Sequence, residues 1–286
     1  MRDRHFQRLI AAVRLDLSLH IRGARSGDIP ELVELDIKEF ASVYRYGDRS
    51  PQELRAHVSA MMAVRQKLLG RRWIRVLRTA DQLVGCVVAC PTSKPPESFM
   101  SWEDTTDDGF LGTTYDTNGR YLYVVSFAAN AKVSARHAGD MLMLNMIGRI
   151  IGGGYSAYFE SRVPGLRRWV INQCRHDGTE LENLSAEQLD RYAERYLAAE
   201  IVVNDARVPL DPLLRTYKSV GCSFLRIVAG AYQDNLSLDY GVVCQYDNPL
   251  PAWAQRIPPV RSAAGLAIRF LSHSNLLVRR FLQESP

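Results

Sequence analysis

The stretch Arg120–Gly154, RYLYVVSFAANAKVSARHAGDMLMLNMIGRIIGGG, decides how the rest of this chain is read. Tyr121–Phe127 is an almost unbroken apolar run, the mark of a central strand covered on both faces. From Ser134 to about Gly152, the residues Met141, Leu142, Leu144, Met146, Ile147 and Ile150 give a helix its apolar side. A strand therefore opens through a short loop onto a helix. The first N–H groups of that helix have no partner within it, so they can hold a phosphate. Gly152-Gly153-Gly154 ends the helix. It has no strand before it and no helix after it, so it is not a phosphate loop.

Working outward, residues 3–15 read as a short basic helix and Leu17–Ile21 as a strand. Asp28 caps a helix with Pro30 in its first turn, and Leu32, Val33, Leu35, Ile37 and Phe40 form its apolar face to about Tyr44. Ser50-Pro51 starts a second helix that Gly70 stops. Trp73–Arg78 and Leu83–Cys90 form a hairpin around Ala80-Asp81-Gln82. A loop from Pro91 to Gly119 follows, containing the acidic WEDTTDDG segment. Loops of that length usually carry function. Beyond the central segment come a strand at Tyr155–Ser161 and an insertion over 162–210. A capping box, Ser185 with Gln188, opens the insertion's helix, Ala186–Glu200. Asp211-Pro212 starts a helix that runs through Ser219. Phe224–Ala229 and Leu238–Tyr246 are closing strands, and 260–283 is amphipathic.

Hydrophobic residues make up 47% of the 286, enough for a sizeable core. The formal charge of +5 sits at the ends. Residues 1–26 hold six Arg against Asp3 and Asp16, and residues 255–286 hold five Arg against Glu284. Basic ends are weaker grounds for nucleic-acid binding than a basic face. The five cysteines form no CxxC, and their odd number argues against a secreted disulfide framework. The histidines show no HxH or HExxH spacing, so no metal site is expected. Arg8 and Arg14 interrupt the N-terminal apolar runs, and no run is long enough to span a membrane. The expectation is a cytoplasmic protein.

The order β-α-α-β-β-(long loop)-β-α-β-(insert)-α-β-β resembles the GNAT superfamily of acyltransferases over roughly residues 18–247. IRGARSGDIPELVELDIKEF looks like that family's opening strand and helix. YLYVVSFAANAKVSARHAGDML resembles its central strand and coenzyme A loop. LLRTYKSVGC resembles its late Tyr-x-x-x-Gly-Phe segment, with Tyr217 and Gly221 in place and Cys222 where Phe is usual. The resemblance implies an α/β fold with a mixed α+β sheet. It divides the chain into a basic helix at 1–16, a GNAT-like domain at 17–248 carrying the 162–210 insertion, and a helical extension at 249–286. The extension docks on the domain or on a partner subunit, which would make a homodimer.

The resemblance also implies chemistry. The donor would be acetyl-CoA or another acyl-CoA, held by Ala129, Ala131, Ser134, Arg136, His137, Ala138 and Gly139. The family loop Arg-Gly-x-Gly-x-Gly/Ala falls on Ser134–Gly139, where only Gly139 matches a glycine. Asp140 would repel the pyrophosphate, and Arg136 would compensate in part. An acyl carrier protein or an aminoacyl-tRNA is the alternative donor, and a non-catalytic binding protein the third reading. The acceptor would be a small-molecule or peptide amine. Tyr217 is the implied general acid for the leaving sulfur. Glu160 is the candidate base, set against an ion pair with Arg162 or Arg167. Ser126, Glu103 and Asp104 are candidate substrate contacts, the last two for a cationic amine.

Overall fold

A computed structural model describes residues 19–40, 49–129, 138–203 and 205–272. Seven strands form one sheet: β1 His20–Gly23, β2 Ile74–Arg78, β3 Leu83–Thr92, β4 Tyr121–Ala129, β5 Ser156–Arg162, β8 Ser223–Val228 and β9 Gly241–Tyr246. Their order is β1-β2-β3-β4-β5-β9-β8. Every neighbouring pair is antiparallel except β4 with β5. A hairpin of β6 Glu200–Val203 and β7 Ala206–Pro209 stands apart.

The helices are α1 Ile29–Phe40, α2 Pro51–Trp73, α3 Trp102–Thr106, α4 Ala138–Gly153, α5 Leu166–His176, α6 Ala186–Ala198, α7 Pro212–Ser219, α8 Ala252–Gln255 and α9 Pro258–Leu271. Ser50 caps α2 reciprocally with Glu53, and Pro51 opens its first turn, as the sequence pattern requires. Gly70 breaks α2 with φ +57, yet the helix resumes to Trp73 rather than stopping there. The capping box of α6 forms as expected, although the helix ends at Ala198. Helix α5 and the β6–β7 hairpin were not foreseen in the insertion.

Two cores result. The main one lies around β2, β3 and β4, between α1–α2 and α4. The second joins α5, α6 and Leu214 of α7 to Val242 and Cys244 of β9. It places the insertion against the sheet rather than as a free appendage.

Helix α4 is apolar nearly all round because it is covered twice. The sheet covers one side and α9 the other. Gly148 and Gly152 of α4 face Gly265 of α9 so closely that a Cβ on Gly265 would lie 2.3 Å from the Gly148 carbonyl oxygen. The described part of the extension therefore docks on its own domain. Replacing Gly265 with Leu is expected to lower the unfolding free energy by about 1–3 kcal/mol through overpacking, read from urea denaturation.

Candidate functional site

Strands β4 and β5 pair over three residues only, ending at Tyr123 opposite Tyr158. Beyond that point they part. On the side away from β3, residues Val124–Ala129 then present a backbone edge with no strand of the described residues beside it, facing a cleft of ≈ 430 Å³. That volume falls within the range of small-molecule sites. The far wall is Phe159–Arg162 of β5, and Gly139 and Asp140 in the first turn of α4 close one end.

Val125 is bulged out of the β3–β4 ladder: Ser126 faces Val88 and Val124 faces Ala89, so Val125 has no opposite number. A bulge leaves one residue unpaired and re-aims its groups. Trp102, at the start of α3, lines the cleft, and its indole Nε1 donates to the Val125 carbonyl at 3.0 Å. Behind it, the Arg65 guanidinium lies 5.8 Å from the Trp102 ring, and its Nε donates to the Gly109 carbonyl at 2.6 Å.

Two polar atoms in this cleft are buried without a partner, Ser126 Oγ and Glu160 Oε1. The other carboxyl oxygen of Glu160 accepts from Tyr123 Oη at 2.5 Å, and its backbone carbonyl accepts from Tyr232 Oη at 2.8 Å. Burial pushes the Glu160 carboxyl well above the carboxylate range, which favours its neutral form. Tyr217 of α7 also lines the cleft, edge-on to Phe159 with ring centroids 4.7 Å apart. Desolvation raises its phenol, which therefore stays protonated as a donor must.

The cleft thus brings together Ser126, Ala129, Gly139, Glu160 and Tyr217 from the residues singled out in the sequence. Glu160 makes no ion pair with Arg162 or Arg167. Arg162 pairs with Asp234 at 2.8 Å, and Arg167 bonds Asn235. Glu103 and Asp104 do not line the cleft. They form the first turn of α3, where Asp104 is tied to the cap Ser101, and the residue that turn delivers to the cleft is Trp102. Ala138 is buried in the main core rather than lining the cleft. Ala131, Ser134, Arg136 and His137 lie outside the described residues, as do the basic helix at 1–16 and the end of the amphipathic segment. Among the described residues, no group of three or more His, Cys, Asp or Glu could hold a metal ion, and no helix is long and apolar enough to cross a membrane. Sequence reading missed Trp102, Tyr123 and Tyr232. Tyr123 carried a faint signal, a hydroxyl in an otherwise apolar strand.

Neither a family model nor a curated protein matches the chain. Solved structures do. The loading GNATL domain of CurA from Lyngbya majuscula superposes with a TM-score of 0.56 at 13% identity, covering 80% of this chain and 98% of that one. The GphF GNAT-like decarboxylase in complex with isobutyryl-CoA gives 0.54 at 19%, covering 80% and 99%. The chain has the GNAT fold. Malonyl-CoA decarboxylase from Cupriavidus metallidurans gives 0.50 at 15%, covering 88% of this chain and 64% of that one. The mixed sheet, its fork between β4 and β5 and the helix after β4 are the parts of the GNAT fold on which the site is built.

A second buried carboxyl lies outside the cleft, in α1. Asp36 of α1 is 2% exposed, and neither carboxyl oxygen has a hydrogen-bond partner. Burial pushes its pKa up to about 6, against the pull of the Arg65 guanidinium. The folded state therefore holds this proton more tightly than the unfolded chain, whose carboxyl keeps its ordinary value of 3.8. The resulting stability is fully present below about pH 4 and is lost as pH rises through about 6. Asp36→Asn should remove that loss. Relative to the variant, the wild type is expected to lose on the order of 2–3 kcal/mol between pH 4 and pH 7 in urea unfolding.

Proposed function

We propose that the chain acts on acyl thioesters, seating the arm of an acyl-CoA or of an acyl carrier protein in the β4–β5 cleft and passing the acyl group to an amine. The observation that carries this reading is the unpaired edge from Val124 to Ala129, which leads from the first turn of α4 to the bulge at Val125. An amide-bearing arm can take the place of the missing strand and satisfy that edge. Its phosphate end would reach the N–H groups of α4, where Asp140 weakens the hold. The thioester would then lie by the bulge and Tyr217. The three structural neighbours support a thioester reading in part, since two are titled with a CoA ester.

In this reaction the amine nitrogen forms the new bond to the carbonyl carbon, and the carbon–sulfur bond breaks. Tyr217 supplies the proton to the leaving thiolate, the attacking amine gives up its proton to water in the cleft, and Tyr217 is reprotonated from that water. The protonated Glu160 acts as a donor toward the carbonyl oxygen or a water beside it, rather than as the base. Glu160→Gln preserves a neutral donor and is expected to keep activity within about tenfold. If Glu160 worked as an ionised base, the loss would be 10²–10⁴-fold. Tyr217→Phe is expected to lower kcat by about 10²-fold with a smaller change in KM.

One observation favours a second reading, decarboxylation of a malonyl-type thioester. The strand walls of the cleft offer Ser126 and Glu160 as neutral donors, while the carboxylates Glu39 and Asp140 stand at the ends of helices. Decarboxylation needs no base. The bond between the carboxylate and the α-carbon breaks, CO₂ leaves, and the electron pair delocalises onto the thioester oxygen, where donors stabilise it. The α-carbon then takes a proton. Two of the three neighbours are titled decarboxylases. Incubation with acetyl-CoA plus amines, and separately with malonyl-CoA alone, followed by mass spectrometry, separates the readings. Acetylated amine supports transfer, and acetyl-CoA formed from malonyl-CoA supports decarboxylation. No binding of either ester at millimolar concentration, by calorimetry, would overturn the CoA version of both.

A further inference from the structure

The cleft does not end at the fork. A cavity of ≈ 70 Å³ continues from it beneath the parted strands, toward the body of α4. Val124, Phe127, Phe159 and Tyr217 line both spaces, so the two join where the bulge lies. The far end of the cavity is formed by Met146 and Ile150 of α4, Cys222 after α7 and Tyr246 of β9. These walls are hydrocarbon, sulfur and ring faces. A void of this kind in a close-packed interior costs stability and stays dry unless something apolar fills it.

We propose that this cavity receives the acyl chain of the thioester and sets its class: an unfunctionalised aliphatic acyl group of about three to four carbons, linear or branched. This inference rests on the thioester reading of the cleft. The size follows from the volume. At roughly 30 Å³ per water- or methylene-sized occupant, the cavity takes about two to three such groups. The direction follows from polarity. The amides of a pantetheine arm find partners along the edge of β4 and none in the cavity, so the arm stays in the cleft and its hydrocarbon end enters. An acetyl group would leave most of the cavity empty. Cys222 is decisive at the far end, because its small side chain leaves open a space that a larger one would fill.

Calorimetric titration of the full chain with free CoA, acetyl-, butyryl-, isovaleryl-, octanoyl- and malonyl-CoA tests this. Each buried methylene should tighten binding by about fourfold, so butyryl-CoA is expected to bind roughly 10- to 20-fold more tightly than acetyl-CoA. Isovaleryl- and octanoyl-CoA should gain nothing beyond butyryl-CoA, and malonyl-CoA should bind no better than acetyl-CoA. Cys222→Phe should reverse the order, so that acetyl-CoA is preferred to butyryl-CoA. Equal affinity across acyl lengths in the wild type, with free CoA still bound, overturns this inference and leaves the thioester reading standing. Failure to bind any of the esters overturns both. The wild-type series decides the matter even if the substituted protein does not fold.

Discussion

The structure turns on the parting of β4 from β5. A sheet is held by its ladder, and here the ladder stops after three residue pairs in the middle of the sheet rather than at an edge. Buried backbone groups without partners are costly, so a fork in a central position must be stabilised from outside the ladder. Three devices do this. Glu160 and Tyr123 bridge the two strands just past their last pair, Tyr232 satisfies the Glu160 carbonyl, and Trp102 satisfies that of the bulged Val125. Each is a side chain taking the place of a missing strand-to-strand hydrogen bond.

The long loop after β3 is built to deliver one of those side chains. Ser101 caps the single turn of α3, which turns Trp102 inward. Arg65, fully buried, holds the loop from the other side through the Gly109 carbonyl. Gly109 adopts φ +86, and a Cβ there would meet Met61 Sδ at 2.4 Å and an Arg65 nitrogen at 2.7 Å. Only glycine fits such a place. The acidic residues are conspicuous in the sequence, but they serve the turn and the solvent-facing side of the loop.

What the sequence revealed follows from what is local. The apolar run of β4, the caps of α2, α6 and α7, and the closing strands are written in neighbouring residues, and they formed where expected within a few positions. Helix α5 escaped notice because its apolar side consists of Leu166, Val170 and Cys174 among arginines, too sparse to stand out. Family resemblance points to Tyr217, and position on the central strand and the one after it points to Ser126 and Glu160. The upward shift of the Glu160 carboxyl was not legible, because it depends on desolvation by residues far away in the chain. Trp102 and Tyr232 were hidden for the same reason: the first is 23 residues from its partner and the second 72. Glu103 and Asp104 misled because a charge run shows nothing of which way its turn faces.

The two cores share one sheet but not one set of thiols. Cys86, Cys90 and Cys222 belong to the main core, and Cys174 and Cys244 to the core beneath the insertion. All five are buried and unpaired, and burial raises the thiols of Cys86, Cys90, Cys222 and Cys244. Apart from Cys222, which lines the cavity beneath the fork, a thiol reagent can therefore reach them only when the protein opens. Because the cysteines are divided between the cores, the order in which they react is a clock for the two halves, separating release of the insertion from collapse of the forked sheet.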